Sequence, residues 1–391
     1  IKDIIDKEKI DCDFEYQPAY VFTQKVQEVE KIKDEVQAVN NFGGNSKLIE
    51  AKDIEINKLN SADYVENKGA KLKISGDNIE KENLDLERDT VKERMKQVLP
   101  IKAIAGIKFE NQAQFNPYKY GNAIAKICSD SGIKIFEHSK VVDVDTEDDD
   151  EYYVVTLENG CKVKAKYIVI TTKYPIVNIP GFYFVKMYQS TSYGIAMQTR
   201  EQLFKGMYIS SEEPTISLRT AKFGDENLLI VVGFDHKTGA PIDLSNAYKY
   251  LEEVAKSLCP EGKIKYHWNT EDCITLDKIP YIGNFSSMWD NAYVATGFNK
   301  WGITTSIIAA KIITDKILGE KNEYEEIFKA TRLEPIKNIK EVTNMVKESV
   351  NSLVVKKLEV PQEEANQIQN GEGKIVEVNG QKIGIYKDDE G

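Results

Sequence analysis

Apolar residues recur at helical spacing in residues 1 to 10 and again in 24 to 40, where Val26, Val29, Ile32 and Val36 stand among charges. The chain is therefore predicted to open with two helices, the second stopped at Gly43-Gly44. From Ser46 to Lys96 the chain is charge-heavy, and from Asp77 to Lys96 it almost lacks large apolar residues. This stretch reads as a solvated insertion with some helix.

From Ile101 the pattern becomes alternating strand and helix. Ile104 to Phe109 predicts a strand; Asn116-Pro117 supplies an N-cap and a first-turn proline for a helix over Tyr118 to Ser131, ended by Gly132. Ile133 to Glu137 reads as a short buried strand and Val141 to Val144 as another. Tyr152 to Leu157 and Cys161 to Ala165 predict a hairpin turned at Glu158-Asn159-Gly160, and Lys166 to Thr172 is hydrophobic enough for a central parallel strand. Beyond Pro175 the texture changes. Aromatic and β-branched residues alternate through Tyr183 to Met197, Met207 to Leu218 and Leu228 to Phe234, which predicts an antiparallel sheet, followed by a helix over Leu244 to Leu258 and a strand over Lys263 to Trp268. Residues 334 to 352 form a polar linker. The last 39 or so read as the opening of a small β domain, Gly373 to Val378 and Lys382 to Tyr386 about a turn at Asn379-Gly380.

One segment points to chemistry. After Asp277-Lys278-Ile279-Pro280-Tyr281-Ile282-Gly283, a strand ending at Val294-Ala295-Thr296 is opened by Gly297 and Gly302 into a helix with Ile307, Ala310, Ile313 and Ile317 on one face. The first-turn N–H groups of Gly302, Ile303 and Thr304 lack intrahelical acceptors, and a helix N-terminus stabilises nearby negative charge by ~0.3 to 1 kcal/mol. A plain strand-turn-helix crossover closed by glycines accounts for the local pattern equally well.

Composition narrows the classes. With 41% hydrophobic and 29% charged residues over 391 positions, the chain is a globular protein of two or three domains. A formal net charge of -11 argues against nucleic acid and against anionic membrane surfaces. No run approaches the ~20 apolar residues of a membrane span. The five cysteines are scattered without a C-x-x-C pair, which fits a reducing, cytoplasmic setting, and the three histidines have no ligand spacing, so no metal site is expected. The absent initiator methionine and the ending at Asp388-Asp389-Glu390-Gly391 read as a piece of a longer protein.

Residues 277 to 283 and 293 to 304 resemble the C-terminal flavin signature of the FAD-dependent amine and D-amino-acid oxidase (DAO) family, which includes glycine and sarcosine oxidases. The resemblance extends through Gln112-Ala113-Gln114-Phe115-Asn116-Pro117, Val141 and Ile168 to Thr172, and so covers most of residues 100 to 330. It implies a mixed α/β (α+β) fold: part of a Rossmann-like FAD-binding domain over 101–175 and 271–333, and an antiparallel-sheet substrate domain over 176–270 joined by residues 1–100. Residues 353–391 resemble the start of a Rieske-like β domain. By position, Val141 meets the adenosine end of FAD, Thr171 and Thr172 lie by the dinucleotide, and Gly297, Asn299, Lys300, Trp301, Gly302, Ile303 and Thr304 line the flavin end. In such enzymes a small-molecule amine loses a hydride to flavin N5 and the imine hydrolyses, the flavin being reoxidised by oxygen or another acceptor.

Three departures qualify the resemblance. No G-x-G-x-x-G turn occurs anywhere, so the chain is expected to bind FAD poorly on its own. No Cys or His follows Cys273, so a [2Fe-2S] cluster belongs only to an intact parent. Amino-acid-oxidising members carry an arginine shortly before the Asp-x-x-Pro turn, whereas here Asn269 to Thr275 holds acids and no arginine. Asp272 then favours a cationic amine, unless Glu271 and Asp272 merely cap or turn the chain. Gln112, Gln114 and Tyr193 are further substrate-facing candidates, although turn-stabilising and packing roles suit them as well. No general base is assigned, since the histidines show no carboxylate or cysteine partner. The alternative reading is a non-catalytic binding or assembly protein that kept the fold, and a nicotinamide-dependent dehydrogenase ranks last.

Overall fold

A computed structural model describes residues 1–59, 101–146, 152–177, 179–240, 244–332, 372–378 and 381–387. In chain order the elements begin with α1 (Lys2–Glu8), β1 (Glu15–Tyr16), β2 (Ala19–Thr23), α2 (Val29–Asn41), β3 (Ser46–Glu50), β4 (Ala105–Phe109), β5 (Ala113–Gln114) and α3 (Pro117–Asp130). Next come β6 (Val141–Thr146), β7 (Tyr153–Leu157), β8 (Lys162–Ala165), β9 (Ile168–Ile170), β10 (Met187–Thr199), β11 (Met207–Ser210), β12 (Ile216–Phe223) and β13 (Glu226–Lys237). The remainder are α4 (Leu244–Leu258), β14 (Lys263–Thr275), β15 (Tyr281–Asn284), β16 (Ala292–Thr296), α5 (Gly302–Leu318), α6 (Glu325–Phe328), β17 (Glu372–Val378) and β18 (Gln381–Lys387).

The largest body is an eight-stranded sheet in the order β14-β10-β13-β12-β11-β2-β4-β3, antiparallel except where β11 lies parallel to β2. Alternation along the strands gives it two unlike faces. One carries Tyr193, Ile195, Met197, Ile216, Leu218, Leu229 and Val231 into the main core. Helix α4 closes that core against β10 and β13 with Ala247, Tyr250, Leu251, Val254 and Leu258. Each fully buried aliphatic side chain here contributes roughly 1.5–3 kcal/mol. The opposite face carries Ser192, Gly194, Trp268 and Arg219.

The second body consists of the sheet β15-β16-β9 and the meander β6-β7-β8. They share a core of Val144, Tyr153, Ile168, Ile170, Tyr281, Phe285 and Val294. Strand β9 runs parallel to β16 and, among the described residues, forms the outer edge of its sheet. Helix α5 packs on β15 and β16 through Ala309, Ile312 and Ile313.

Several local expectations hold. Asn116 caps α3 through its side chain, accepting from the Tyr118 and Lys119 N–H groups, with Pro117 in the first turn. The hairpin turns at Gly160, whose φ of 83° suits glycine. Strands β17 and β18 pair antiparallel, while the turn at Asn379-Gly380 lies outside the described residues.

Other expectations are corrected. Ser46 to Glu50 is a paired strand rather than part of a solvated insertion, and Ile54 and Ile56 beyond it are fully buried; residues 60 to 100 lie outside the described set. Strand β4, expected with the 101–175 unit, pairs with β2 and β3 in the large sheet. Residues 133 to 137 form no strand, and Ile133, Ile135 and Phe136 are exposed, because no described strand lies beside them to pair. Met207 to Leu218 splits into β11 and β12 at the turn holding Pro214, whose ring nitrogen has no ladder donor. Strand β14 runs on to Thr275, so Glu271 and Asp272 are strand residues rather than turn residues.

One ion pair clasps the turn that follows β14. Arg332 Nε and Nη2 donate to Asp277 Oδ2 and Oδ1 at 2.8 and 3.0 Å, its Nη1 reaches the Pro280 carbonyl at 3.0 Å, and the guanidinium lies 3.9 Å from the Tyr281 ring centre. Burial would raise the Asp277 carboxyl, but Arg332 and the Ile279 N–H hold it below its ordinary value. Because the folded pKa is depressed, this contribution is fully present above the unfolded carboxylate value near ~4 and is lost as pH falls through the folded value. Arg332→Ala is expected to cost about 3 kcal/mol in urea unfolding at neutral pH, and the difference from wild type should shrink as the buffer is taken below pH ~4.

Candidate active site

The strand-to-helix connection is held open by backbone geometry. Gly297 has φ 68°, and a Cβ there would stand 2.3 Å from Thr275 Cγ2, so no other residue fits without displacement. Asn299 and Lys300 follow with φ 48° and 71°, both left-handed. Such strain persists only where neighbours over-determine it, and Asn299 supplies them. Its Oδ1 accepts from the Thr275 N–H at 2.8 Å, its Nδ2 donates to the Lys278 carbonyl at 3.0 Å, and its N–H donates to the Cys273 carbonyl at 3.2 Å. The end of β14 thus fixes the loop that feeds α5.

No side chain caps α5, whose N-cap is Trp301. The N–H groups of Gly302, Ile303 and Thr304 remain available to an external acceptor. Beside this helix start lies a cavity of about 650 Å³, lined by Thr171, Lys173, Asp272, Gly297, Asn299 and Lys300 among others. Its apolar wall comes from Ala309, Ala310, Ile313 and Ile317. The buried stripe of α5 is Thr305, Ala309, Ile312 and Ile313, not the expected Ile307, Ala310, Ile313 and Ile317. Helix α5 is apolar on two sides, one facing β15 and β16 and the other this cavity.

Lys300 organises the charge. Its Nζ donates to Ser192 Oγ and to Asp235 Oδ1 at 2.9 Å, and it lies 3.8 Å from Asp272 Oδ2. Ser192 Oγ donates to Asp235 Oδ1 at 2.6 Å. Asp272 is thus the more distant of two carboxylates that share one lysine. Cys273 also lines the cavity, and burial pushes its thiol up to about 11, so it stays protonated and unreactive at neutral pH.

The structure brings Thr171, Gly297, Asn299, Lys300, Gly302 and Asp272 to this cavity. It does not bring the others. Trp301, Ile303 and Thr304 are exposed, with Thr304 Oγ1 donating to the Trp301 carbonyl at 3.2 Å. Thr172 is exposed and donates to the Tyr174 carbonyl at 2.9 Å, and Val141 packs at the rim of the second core. Gln112 is exposed, its amide donating to the Glu110 carbonyl at 3.1 Å. Tyr193 is a correction: it is 2% exposed in the main core, on the face opposite Ser192, with its hydroxyl 2.8 Å from His236 Nε2. His267 does have a carboxylate partner, Glu252 at 2.8 Å, contrary to expectation. That pair bridges β14 to α4, away from the cavity, and supplies no base there. Sequence reasoning missed Lys173 and Arg332, whose partners are distant in the chain.

Among the described residues, no group of three or more His, Cys, Asp or Glu side chains could hold a metal ion. Among the described residues, no helix is long and apolar enough to cross a membrane.

The residues suit the isoalloxazine end of FAD: a broad apolar wall, an uncapped helix N-terminus and two lysines.

A family model described as FAD dependent oxidoreductase (DAO) matches residues 1–316. Over its whole length the chain is 30% identical to the putative Rieske 2Fe-2S iron-sulfur protein YhfW of Bacillus subtilis strain 168, of which it spans 67%. Over 248 residues, 59% of this chain, it is 26% identical to the probable oxidoreductase OrdL of Haemophilus influenzae, spanning 53% of that protein. Among solved structures, the glycine oxidase of Geobacillus kaustophilus is similar with a TM-score of 0.64 at 12% identity, covering 85% of this chain and 79% of that one. L-proline dehydrogenase from P. horikoshii gives 0.63 at 18% identity, with the same coverages. At these identities the likeness is one of fold.

Substituting the two glycines separates their roles. Gly297→Ala is expected to lose about 1–3 kcal/mol, read by thermal unfolding, because the new methyl meets Thr275 at a left-handed position. Gly302→Ala, whose Cβ would meet only Phe298 Cδ2 at 3.7 Å, should stay within about 0.5 kcal/mol of wild type.

Proposed function

Since the chain belongs to the FAD dependent oxidoreductase (DAO) family, we propose that it forms the flavin-facing and substrate-facing part of an enzyme that oxidises an amine or amino-acid-like small molecule. The single observation that carries the reading is the uncapped start of α5 beside a largely apolar cavity with Lys300 at its mouth. Two neighbours in fold support an amino-acid-like substrate, one being a glycine oxidase and another an L-proline dehydrogenase.

When bound, FAD would supply two-electron oxidation of a C–N bond by hydride transfer to its N5. The chain's own residues do the rest. The N–H groups of Gly302, Ile303 and Thr304 stabilise negative charge at the helix start. Lys300, held by Asp235 and Ser192, keeps a fixed positive charge at the cavity wall rather than a swinging one. Ala310, Ile313 and Ile317 exclude water, which strengthens both effects. Cys273 remains a neutral thiol and competes neither as base nor as nucleophile. Residues 353–391 are proposed, through the likeness to YhfW, to begin an electron-transfer domain of the Rieske kind.

Expression of the full reading frame that carries this chain tests the reading. The purified protein should retain FAD, and its visible flavin absorbance should bleach on anaerobic addition of small amino acids or secondary amines. A colourless protein with no affinity for added FAD would refute it. In the flavin-loaded protein, Lys300→Met should lower the flavin reduction potential, by about 20 mV for each ~1 kcal/mol of lost charge stabilisation, while Lys300→Arg should leave it nearly unchanged.

A further inference from the structure

Strand β14 (Lys263–Thr275) is the outer strand of the eight-stranded sheet, paired with β10 on one side and with no strand on the other among the described residues. Lys265 to Glu271 are all exposed, an unbroken run centred on Trp268. Cys273 fixes which backbone groups point outward. Its carbonyl turns away from β10 and accepts from the Asn299 N–H at 3.2 Å. In an antiparallel pair alternate residues present both N–H and C=O to the same side, so Glu271, Asn269 and His267 present theirs outward as well. No described backbone group bonds to them there.

Native sheets blunt such edges with prolines, covering elements, short strands or charge. Strand β14 contains neither proline nor glycine, and its one irregularity is a bulge at Lys265, the end of the exposed run. Charge remains, and along β14 it changes sign: Lys263 and Lys265 precede Trp268, while Glu271 and Asp272 follow it. The strand is therefore complementary to itself when reversed. A two-fold axis through the middle of the run sets it antiparallel to its own copy. With Trp268 opposite Trp268 of the second copy, His267 falls opposite Asn269 and Lys265 opposite Glu271. The outward groups of His267 and Asn269 then exchange main-chain hydrogen bonds, and the ladder stops short of Cys273, whose carbonyl is already taken. Centring on Asn269 instead would carry Lys265 onto Cys273 and lose the ion pair. Both charges are available: Lys265 has only a surface contact with Glu226 at 3.4 Å, and Glu271 has no ion pair among the described residues.

We infer that the outer edge of β14 docks a second copy of this chain, the two strands pairing antiparallel about Trp268 so that the large sheets of both copies run on as one. The docking does not depend on the function proposed above, and neither Lys265 nor Glu271 lines the cavity. Glu271 does precede the wall residues Asp272 and Cys273, so pairing steadies the strand that carries them. A net charge of -11 repels two copies at a distance, and specificity rests on the local match. A ladder this short makes a small interface, so the dimer forms reversibly in the micromolar range rather than as an obligate unit.

Sedimentation velocity on the protein from the full reading frame that carries this chain tests the docking. Wild type should shift from the mass of one chain to twice that mass as its concentration rises through the micromolar range. Glu271→Lys and Lys265→Glu should each weaken the dimer by about tenfold or more, since each sets like charges opposite one another. An equimolar mixture of the two variants should dimerise as wild type does, because every pairing between them is lysine against glutamate. A folding defect would not be mended by mixing. Hydrogen exchange should find the His267 and Asn269 amides protected in wild type and open in either variant alone. The inference is overturned if wild type stays monomeric up to about 200 μM, if either variant alone dimerises as wild type, or if the mixture stays monomeric. Protection of these amides in a monomer would put another segment of the same chain on the edge, and overturns it as well.

Discussion

The bidentate contact between Arg332 and Asp277 is the constraint on which the rest of the site depends. Asp277 sits two residues beyond the end of β14, so the clamp fixes how the large sheet hands the chain over to β15. Arg332 also covers Tyr281, the first residue of β15, and bonds the carbonyls between. Strand β15 pairs with β16, and β16 runs directly into Gly297 and α5. One largely buried guanidinium therefore pins the turn between β14 and β15, the strand that pairs with the one leading into α5.

Legibility in the sequence followed the range of the interactions. The cap at Asn116-Pro117, the turn at Gly160 and the glycines that open α5 were readable because each is decided within a few residues. The strand nature of Asn269 to Thr275 was not, since acidic residues carry weak strand propensity and only pairing with β10 makes the strand. Ile54 and Ile56 sit in a charge-rich neighbourhood, and their burial comes from a core assembled by β10 to β13 and α4. Lys300 was visible as a loop lysine, but its partners Ser192 and Asp235 stand 108 and 65 positions away.

The two faces of the large sheet are patterned differently. Its core face is largely apolar, with Thr220 bonded to the Phe204 carbonyl. Its other face sets Lys300 with two carboxylates. Further along that face Trp268 lies over Gly194, where a Cβ would meet the indole at 2.3 Å. A buried or half-buried charge is tolerated only where it is paired, and Lys300 meets that condition through partners on two strands.

The exposed edge of β9 has a consequence for handling the protein in solution. A strand edge left unpaired among the described residues presents a ladder of donors and acceptors, and here the exposed Val169 lies on it, with Tyr167 just before. Such an edge is adhesive to any extended chain, its own copies included. Lys166 and Lys173 bracket the strand as gatekeepers, so mutual repulsion between copies is strongest in dilute buffer and fades with added salt. Colloidal behaviour, not only cofactor chemistry, is written into this short strand.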